Sequence, residues 1–267
     1  MNGTAELVFA RERGRTILKK SRVEAPMAVV RPFDLPDGGV LIQIVSLGPG
    51  LCGGDRITVD ARAGQGTRVA ITTTAATRVM SMDAGACAEQ RITLHAEEDA
   101  VMEYYPCVTI PYPGSALRQT IDVDTAPGAR VGVLECWAMG RTARSEYLAF
   151  RSLVSGTTIA SGGRRTYVDA MRLEPQSADL AGAGILAGGR YLASGVWTGV
   201  GSALDAEPVA PSTDGPLVAF GTSSPGVAYL RVLAGDGPCV DRVMRASVER
   251  VARSWGLPPV CLRRFHN

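Results

Sequence analysis

Three segments of this chain share one pattern, in which a turn leads directly into a short apolar strand. They span residues 63–69, 96–101 and 126–131, so the pattern recurs about every 30 residues. A unit of this size cannot bury its own apolar face, and such units bury it by stacking on their neighbours. The repeat therefore predicts stacked β layers, with an ordinary meander or sandwich as the alternative.

Alternating β-branched residues predict several strands in the first two-thirds of the chain. The clearest examples are residues 69–72, 91–95, 120–123 and 130–134. We expect a β-rich part over residues 1–202. Residues 203–225 are rich in proline, glycine and serine and are weakly periodic, which predicts a loop-rich connection.

One helix is predicted near the end of the chain, over residues 237–256. Its apolar residues follow helical spacing, Asp236 or Asp241 can begin it, and Gly256 can end it. The apolar stripe favours packing on the core, with docking onto a partner as the alternative. The fold class expected is mainly β, a layered β-helix-like architecture with few helices, in a single domain spanning 1–267.

Composition excludes several classes of protein. The formal net charge of +2 is close to neutral, so we expect no nucleic-acid partner. No apolar run approaches the roughly 20 residues of a membrane helix, and no secretory signal is visible, so we expect a cytoplasmic protein with no membrane partner. The six cysteines form no C-x-x-C pair, and we expect most of them to be small buried residues.

Asp55 is the first candidate ligand for a metal ion, because it follows two glycines that let the backbone bend closely. The alternative is that its carboxylate only braces a turn. Oxygen ligands of this kind hold a divalent ion weakly, whereas thiol and imidazole clusters would hold such an ion too tightly for release.

Four further side chains are predicted to line a hydrated passage. Thr72 and Thr74 should share one face of a strand, which Thr77 follows, although β propensity alone explains the threonines. Glu103 lies among apolar strand residues, where a buried carboxylate must be paired or serve a site.

Glu146 and Asp169 are acids for which salt bridging is the default expectation. Their plausible partners, and those of Glu103, are Arg141, Arg144 and Arg172. No nucleophile elbow, zinc-protease motif or kinase motif is present. The glycine-rich stretch 181–189 lacks the residues of a phosphate loop, so the chain is expected not to be an enzyme and to need no nucleotide.

Several stretches occur in an order typical of one family. They are 47–56 (LGPGLCGGDR), 71–78 (ITTTAATR), 105–112 (YPCVTIPY), 137–141 (WAMGR) and 167–173 (YVDAMRL). In this the chain resembles the urease accessory protein UreD, also called UreH.

The resemblance implies a layered β fold and a role in nickel insertion into urease. It implies docking on the urease apoprotein, binding to UreF, and contact with the GTPase UreG through UreF. No cofactor is expected to be tightly bound, and nickel should pass only transiently. Asp55, Asp169 and Glu146 are the residues predicted to lie on the nickel path.

Two other functions remain open at this point. A β-helical carbohydrate-active enzyme would need clustered carboxylates, which Asp55, Glu103 and Asp169 could supply. A self-contained structural repeat protein is the third possibility.

Overall fold

The computed structural model describes residues 1–201 and 215–261 of the chain. These residues form two large β-sheets, one α-helix and a 3₁₀ turn at Thr142–Arg144. The strands are β1 Asn2–Glu12, β2 Arg15–Glu24, β3 Met27–Val29, β4 Phe33–Asp34, β5 Val40–Ser46, β6 Arg56–Ala63, β7 Arg68–Thr73, β8 Thr77–Val79, β9 Ala88–Ala96, β10 Val101–Tyr104, β11 Thr109–Pro111, β12 Ala116–Thr125, β13 Arg130–Ala138, β14 Ser152–Ser161, β15 Arg164–Leu173, β16 Tyr191–Thr198, β17 Leu217–Ser224 and β18 Val227–Ala234, and the helix is α1 Gly237–Ser254.

The first sheet, sheet A, has seven strands in the order β15-β14-β12-β9-β6-β1-β2. The second sheet, sheet B, has the main order β17-β18-β16-β13-β10-β7-β5-β3, with β4, β8 and β11 attached to it. Strands β6, β9, β12 and β14 run parallel in sheet A, and β5, β7, β10 and β13 run parallel in sheet B. Among the described residues, no helix has the length and apolar character needed to cross a membrane.

The sequence repeat corresponds to the passage of the chain from sheet A to sheet B. Each repeat supplies one strand to each sheet, in the successive pairs β6/β7, β9/β10 and β12/β13. The turns between them also stack, since Gly66 N–H donates to Glu98 O at 2.9 Å and Ala126 N–H donates to Ala96 O at 2.8 Å. The prediction of stacked β layers is therefore confirmed.

Alternate residues of sheet B face two different apolar layers. One layer lies between the sheets and contains Val69, Ile71 and Val133, among others. The other lies between sheet B and α1 and contains Ala70 and Leu134. This division follows from the period of two along a strand. The position of a polar residue in its strand therefore determines whether its side chain lies between the sheets or between sheet B and α1.

Helix α1 covers the outer face of sheet B, as its apolar stripe predicted. Val240, Val248 and Val251 are buried there. The Asp236 carboxylate accepts a hydrogen bond from Cys239 N–H at 2.7 Å, which satisfies one of the unpaired donors at the start of the helix. Gly256 follows the helix with a φ of 68°, a backbone conformation that glycine adopts easily.

The prediction of a loop-rich connection over residues 203–225 is wrong in its second half. Leu217–Ser224 forms strand β17, which pairs antiparallel with β18 along the edge of sheet B. Its apolar residues form one continuous run, Leu217 to Phe220, and the glycine, threonine and serines that follow show no alternation typical of a strand. Residues 203–214 lie outside the part that the structure describes.

Candidate functional site

A cluster of polar side chains replaces the apolar core at one end of the space between the sheets. Its centre is Glu135 of β13, whose strand neighbours Val131 and Val133 point into the same space. Glu135 Oε1 accepts hydrogen bonds from Gln119 Nε2 and from Ser155 Oγ, the latter at 3.3 Å, and Oε2 accepts one from Thr157 Oγ1 at 3.1 Å. These donors come from β12 and β14, so the cluster bridges the two sheets.

Burial raises the pKa of Glu135 to about 7. The hydrogen bonds from Thr157 and Ser155 act in the opposite direction, the charge of Asp169 raises the pKa further, and Arg231 lowers it. A carboxyl group with this pKa changes between its neutral and charged forms near neutral pH.

Asp169 extends the cluster towards the edge of the sheets. It lies on β15, and its carboxylate pairs with Arg231 of β18 and accepts a hydrogen bond from Ser194 Oγ at 3.2 Å. The Asp169 side chain is 18% exposed and that of Arg231 is 37% exposed. The polar side chains therefore run from the buried Glu135 to a position that solvent reaches.

The donors of this cluster are oxygen atoms of carboxylates, hydroxyls and an amide, with one guanidinium to balance charge. Oxygen donors suit hard or borderline divalent cations and bind them less tightly than thiolates and imidazoles do. Within residues 1–201 and 215–261, no three His, Cys, Asp or Glu side chains are grouped closely enough to hold a metal ion.

The structure places the three predicted nickel-path acids apart. Asp55 directly precedes β6, and its carboxylate pairs with the amino group of Met1 and accepts a hydrogen bond from Cys52 N–H at 2.8 Å. Strands β9, β12 and β14 separate β6 from the strand of Asp169, a distance of about 19 Å at the usual strand spacing. Asp55 thus braces the glycine-rich turn in this structure.

Glu146 lies outside both sheets, after the 3₁₀ turn. Arg141 Nε donates to its Oε2 at 2.5 Å and Arg141 Nη2 donates to its Oε1 at 2.6 Å. The same guanidinium stacks on the ring of Tyr112 at 4.1 Å from its centroid. This pair confirms the expected salt bridge and its partner Arg141, and it lowers the pKa of Glu146 through the hydrogen bonds from Arg141. The role of Asp55, Asp169 and Glu146 in nickel transfer stays a prediction.

The other predicted salt-bridge partners are wrong. Asp169 pairs with Arg231, and Glu103 pairs with Arg68 at 3.4 Å. Both partners come from strands distant in sequence, so the sequence alone did not identify them. Arg172 instead lies 3.6 Å from Glu174.

The residues predicted to line a passage divide between two interiors. Thr72 and Glu103 belong to the face of sheet B that α1 covers, where Thr72 Oγ1 donates to Tyr105 O at 2.7 Å. The expectation that Thr72 and Thr74 share a strand face is wrong, because β7 ends at Thr73. Thr74 and Thr77 border a cavity of about 90 Å³ at the inner side of sheet B. Whether these threonines line a passage stays a prediction.

Glu103 is held in an ionic network beneath the segment that follows α1. Arg68 contacts Glu103, pairs with Asp37, and donates from Nη2 to Pro258 O at 2.6 Å. Burial raises the pKa of Glu103, although the positive charge of Arg68 acts against this. Arg68 therefore links Glu103 of β10 to the segment after α1.

The cysteines do not follow the expectation that most would be buried. Only Cys136 among the described residues is buried, and burial raises the pKa of its thiol to about 12. Cys261 is exposed, and the others are half-buried: Cys52, Cys87, Cys107 and Cys239. These five cysteines lie in connections outside the strands or in the first turn of α1. Side chains at such positions are not buried by the packing of the two sheets.

Sequence reasoning missed Glu135 and its partners Gln119, Ser155 and Thr157. A signal for Glu135 was available, since it is an acid within the apolar strand of residues 131–138. The partners had no local signal, because their common contact depends on how two distant strands face each other. Asp169 alone of the predicted acids belongs to this cluster.

The carbohydrate-active alternative required Asp55, Glu103 and Asp169 to meet. Asp55 lies four strands away from Asp169 within sheet A. Glu103 faces the α1 side of sheet B, whereas Asp169 faces the space between the sheets. These three acids therefore form no common site.

Comparisons with known proteins agree on one family. The family model described as "UreD urease accessory protein" matches residues 1–267. The urease accessory protein UreD of Deinococcus radiodurans is 37% identical over 98% of this chain and 94% of its own length. UreD 1 of Synechococcus sp. (strain JA-3-3Ab) is 33% identical over 97% of this chain and 95% of its own length. The chain therefore belongs to the UreD family of urease accessory proteins.

Proposed function

We propose that this chain acts in the cytoplasm as a non-catalytic scaffold that helps to pass Ni²⁺ to the urease active site. In this proposal it docks on the urease apoprotein and binds UreF, which brings in the GTPase UreG. Nucleotide hydrolysis then belongs to UreG, and nickel is the cargo that this chain passes on.

The observation that carries the proposal is the polar cluster between the sheets. Glu135 and Asp169 are two carboxyl groups of one connected cluster in an otherwise apolar space, and Arg231 opens that cluster towards solvent. Burying polar groups within a core costs free energy unless they are paired. A purely structural core would be served as well by apolar side chains, so a role in ion passage explains their presence.

The pKa of Glu135 suits this role. A carboxyl group that titrates near pH 7 can release its proton when a cation arrives and take one up when the cation leaves. Hydroxyl and amide oxygens of Ser155, Thr157 and Gln119 supply weak neutral contacts. Such a donor set favours movement of nickel over storage.

The test uses the complex assembled with urease apoprotein, UreF and UreG. We expect Glu135→Gln and Asp169→Asn to leave the yield of assembled complex unchanged but to lower both nickel content and urease activity per mole. The amide variants preserve size and most hydrogen bonds, so they remove charge with little loss of packing. The measurement is nickel by elemental analysis, together with urease activity of the same sample.

Asp124→Asn is the matched control, because Asp124 is exposed on the outer side of neighbouring strand β12. It removes the same charge without touching the space between the sheets. Wild-type nickel content in both cluster variants would exclude them from the path. A loss that only follows the amount of folded complex would assign the cluster to stability.

A further inference from the structure

The outer face of sheet A carries a positively charged groove, which is separate from the polar cluster between the sheets. The groove has a volume of about 290 Å³ and lies across β6, β9 and β12. Its exposed basic residues are Arg56, Arg91 and Arg118, and Thr58 and Thr120 add hydroxyl groups. Glu89 is the acid that borders it.

The parallel register arranges these side chains in rows across the strands. The first row is Arg56, Glu89 and Arg118, because Arg56 is paired with Glu89 and Glu89 with Arg118. The second row, two residues further along each strand, is Thr58, Arg91 and Thr120. Successive rows are therefore about 6.6 Å apart, and neighbouring strands are about 4.8 Å apart.

Only one of the three arginines has its charge balanced by a neighbour. Arg56 Nε lies 3.3 Å from Glu89 Oε2, so Arg56 forms an ion pair on the outer face of the sheet. Across the two described ranges, no ion-pair or hydrogen-bond partner is seen for the side chain of Arg91 or Arg118. Their Cα positions are diagonal neighbours about 8 Å apart, within which two long side chains can meet one carboxylate from both sides.

The third row reverses the charge. It contains Asp60, Thr93 and Asp122, which are aligned by the same register. A ligand running along the strands between β9 and β12 thus meets Arg118, then Arg91, then Asp122. An extended peptide presents the side chains of one face at the same interval of two residues, about 6.6 Å.

We propose that this groove docks an extended acidic segment of a partner protein, with acidic side chains at positions i and i+2 and a basic side chain at i+4. The two acids fit the rows of Arg118 and Arg91, and the basic residue fits the row of Asp122. A free phosphate ion would satisfy one arginine pair but would leave the acidic row unused. The match of spacing and of charge order favours the peptide.

The probe is a fluorescent peptide containing Glu-Ser-Glu-Ser-Arg, compared with Glu-Ser-Arg-Ser-Glu of the same composition. Binding is measured by fluorescence anisotropy on the full chain fused to maltose-binding protein, with the carrier alone as background. We expect the first peptide to bind at least about fivefold more tightly, and its affinity to fall with ionic strength. Equal binding of the two peptides would overturn the proposal.

Variants distinguish specific binding in the groove from a general effect of the protein's positive charge on affinity. Arg91→Glu combined with Arg118→Glu should lower affinity at least about tenfold, whereas Arg62→Glu, on the same face in a later row, should change it less than about threefold. Glu89→Gln removes the negative charge beside Arg118 in the first row, which repels an acidic ligand, and should therefore tighten binding. Equal losses at Arg62 and in the groove, or unchanged affinity in Glu89→Gln, would contradict a specific site.

Inorganic phosphate is the final arm of the experiment. At the concentration of the peptide, phosphate should not displace it, because the peptide contacts all three rows and phosphate reaches at most the two rows that hold Arg118 and Arg91. Displacement at equal concentration would mark a small-anion site and overturn the docking of a protein segment. All the substituted residues are exposed on a strand surface, and the thermal unfolding midpoint of each variant checks that the fold is kept.

Discussion

At the scale of single residues, Glu135 should make stability depend on pH. Its pKa is raised to about 7 in the folded protein and is near 4.5 in the unfolded chain. The folded state therefore binds the proton more tightly, and this contribution to stability is complete below pH 4.5 and is lost as pH rises through 7. We expect the free energy of unfolding to fall by roughly 3 kcal/mol over that window from this group.

The measurement is urea unfolding at a series of pH values, for the wild type and for Glu135→Gln. The variant carries no titrating group at this position, so its profile should be flatter between pH 4.5 and 7. The charges that face Glu135 are Asp169 and Arg231, and both remain in the variant. Parallel profiles would show that Glu135 titrates at its ordinary pKa.

Asp55 illustrates how a residue chosen for metal binding can have a different local role. Its carboxylate accepts the Cys52 N–H and pairs with the Met1 amino group, and the residue is buried. We expect Asp55→Ala to lower the free energy of unfolding by about 1–3 kcal/mol, because the Cys52 N–H and the Met1 amino group both lose their acceptor. Chemical unfolding measures this.

Urease activation by Asp55→Ala should then fall only in proportion to the amount of folded complex. Asp124→Ala is the control, since Asp124 is exposed on the outer side of β12. Normal stability combined with reduced nickel per mole of complex would reverse this interpretation and return Asp55 to the nickel path.

At the scale of elements, the start of α1 can be tested directly. Asp236 is the only side chain observed to cap this helix in the described chain, through its hydrogen bond to Cys239 N–H. We expect Asp236→Ala to lower the free energy of unfolding by about 1 kcal/mol and Asp236→Asn to lower it much less, because asparagine also caps well. Unfolding curves of both variants, monitored by circular dichroism, measure these changes in the free energy of unfolding. Equal effects of the two substitutions would show that the cap is unimportant.

Elements with local signals were predictable from the sequence, and contacts between elements were not. The repeat of turns and strands predicted the stacked sheets because each unit carries its own turn and its own alternation. Strand β17 was missed because it depends on β18 for its pairing. The cluster around Glu135 joins β13 of sheet B to β12 and β14 of sheet A. Gln119 and Thr157 reach the same carboxylate only because the two sheets pack face to face, which no local pattern in the sequence indicates.

At the scale of the whole molecule, both sheets have edge strands that no other strand of the described residues covers. Strands β15 and β2 are the two edges of sheet A, and β17 is one edge of sheet B. Val168 on β15 is 58% exposed and Leu217 on β17 is 46% exposed. Unpaired strand edges with exposed apolar side chains favour association with other chains.

We therefore expect the chain expressed alone to be poorly soluble, and coexpression with UreF to raise the soluble yield. The near-neutral net charge of +2 adds little repulsion between copies. Soluble protein after centrifugation, and its size by gel filtration with light scattering, measure the effect. Coexpression with UreG in place of UreF is the matched control, because the proposed contact with UreG runs through UreF. A concentrated, monodisperse monomer without any partner would show that these edges are adequately protected by the chain itself.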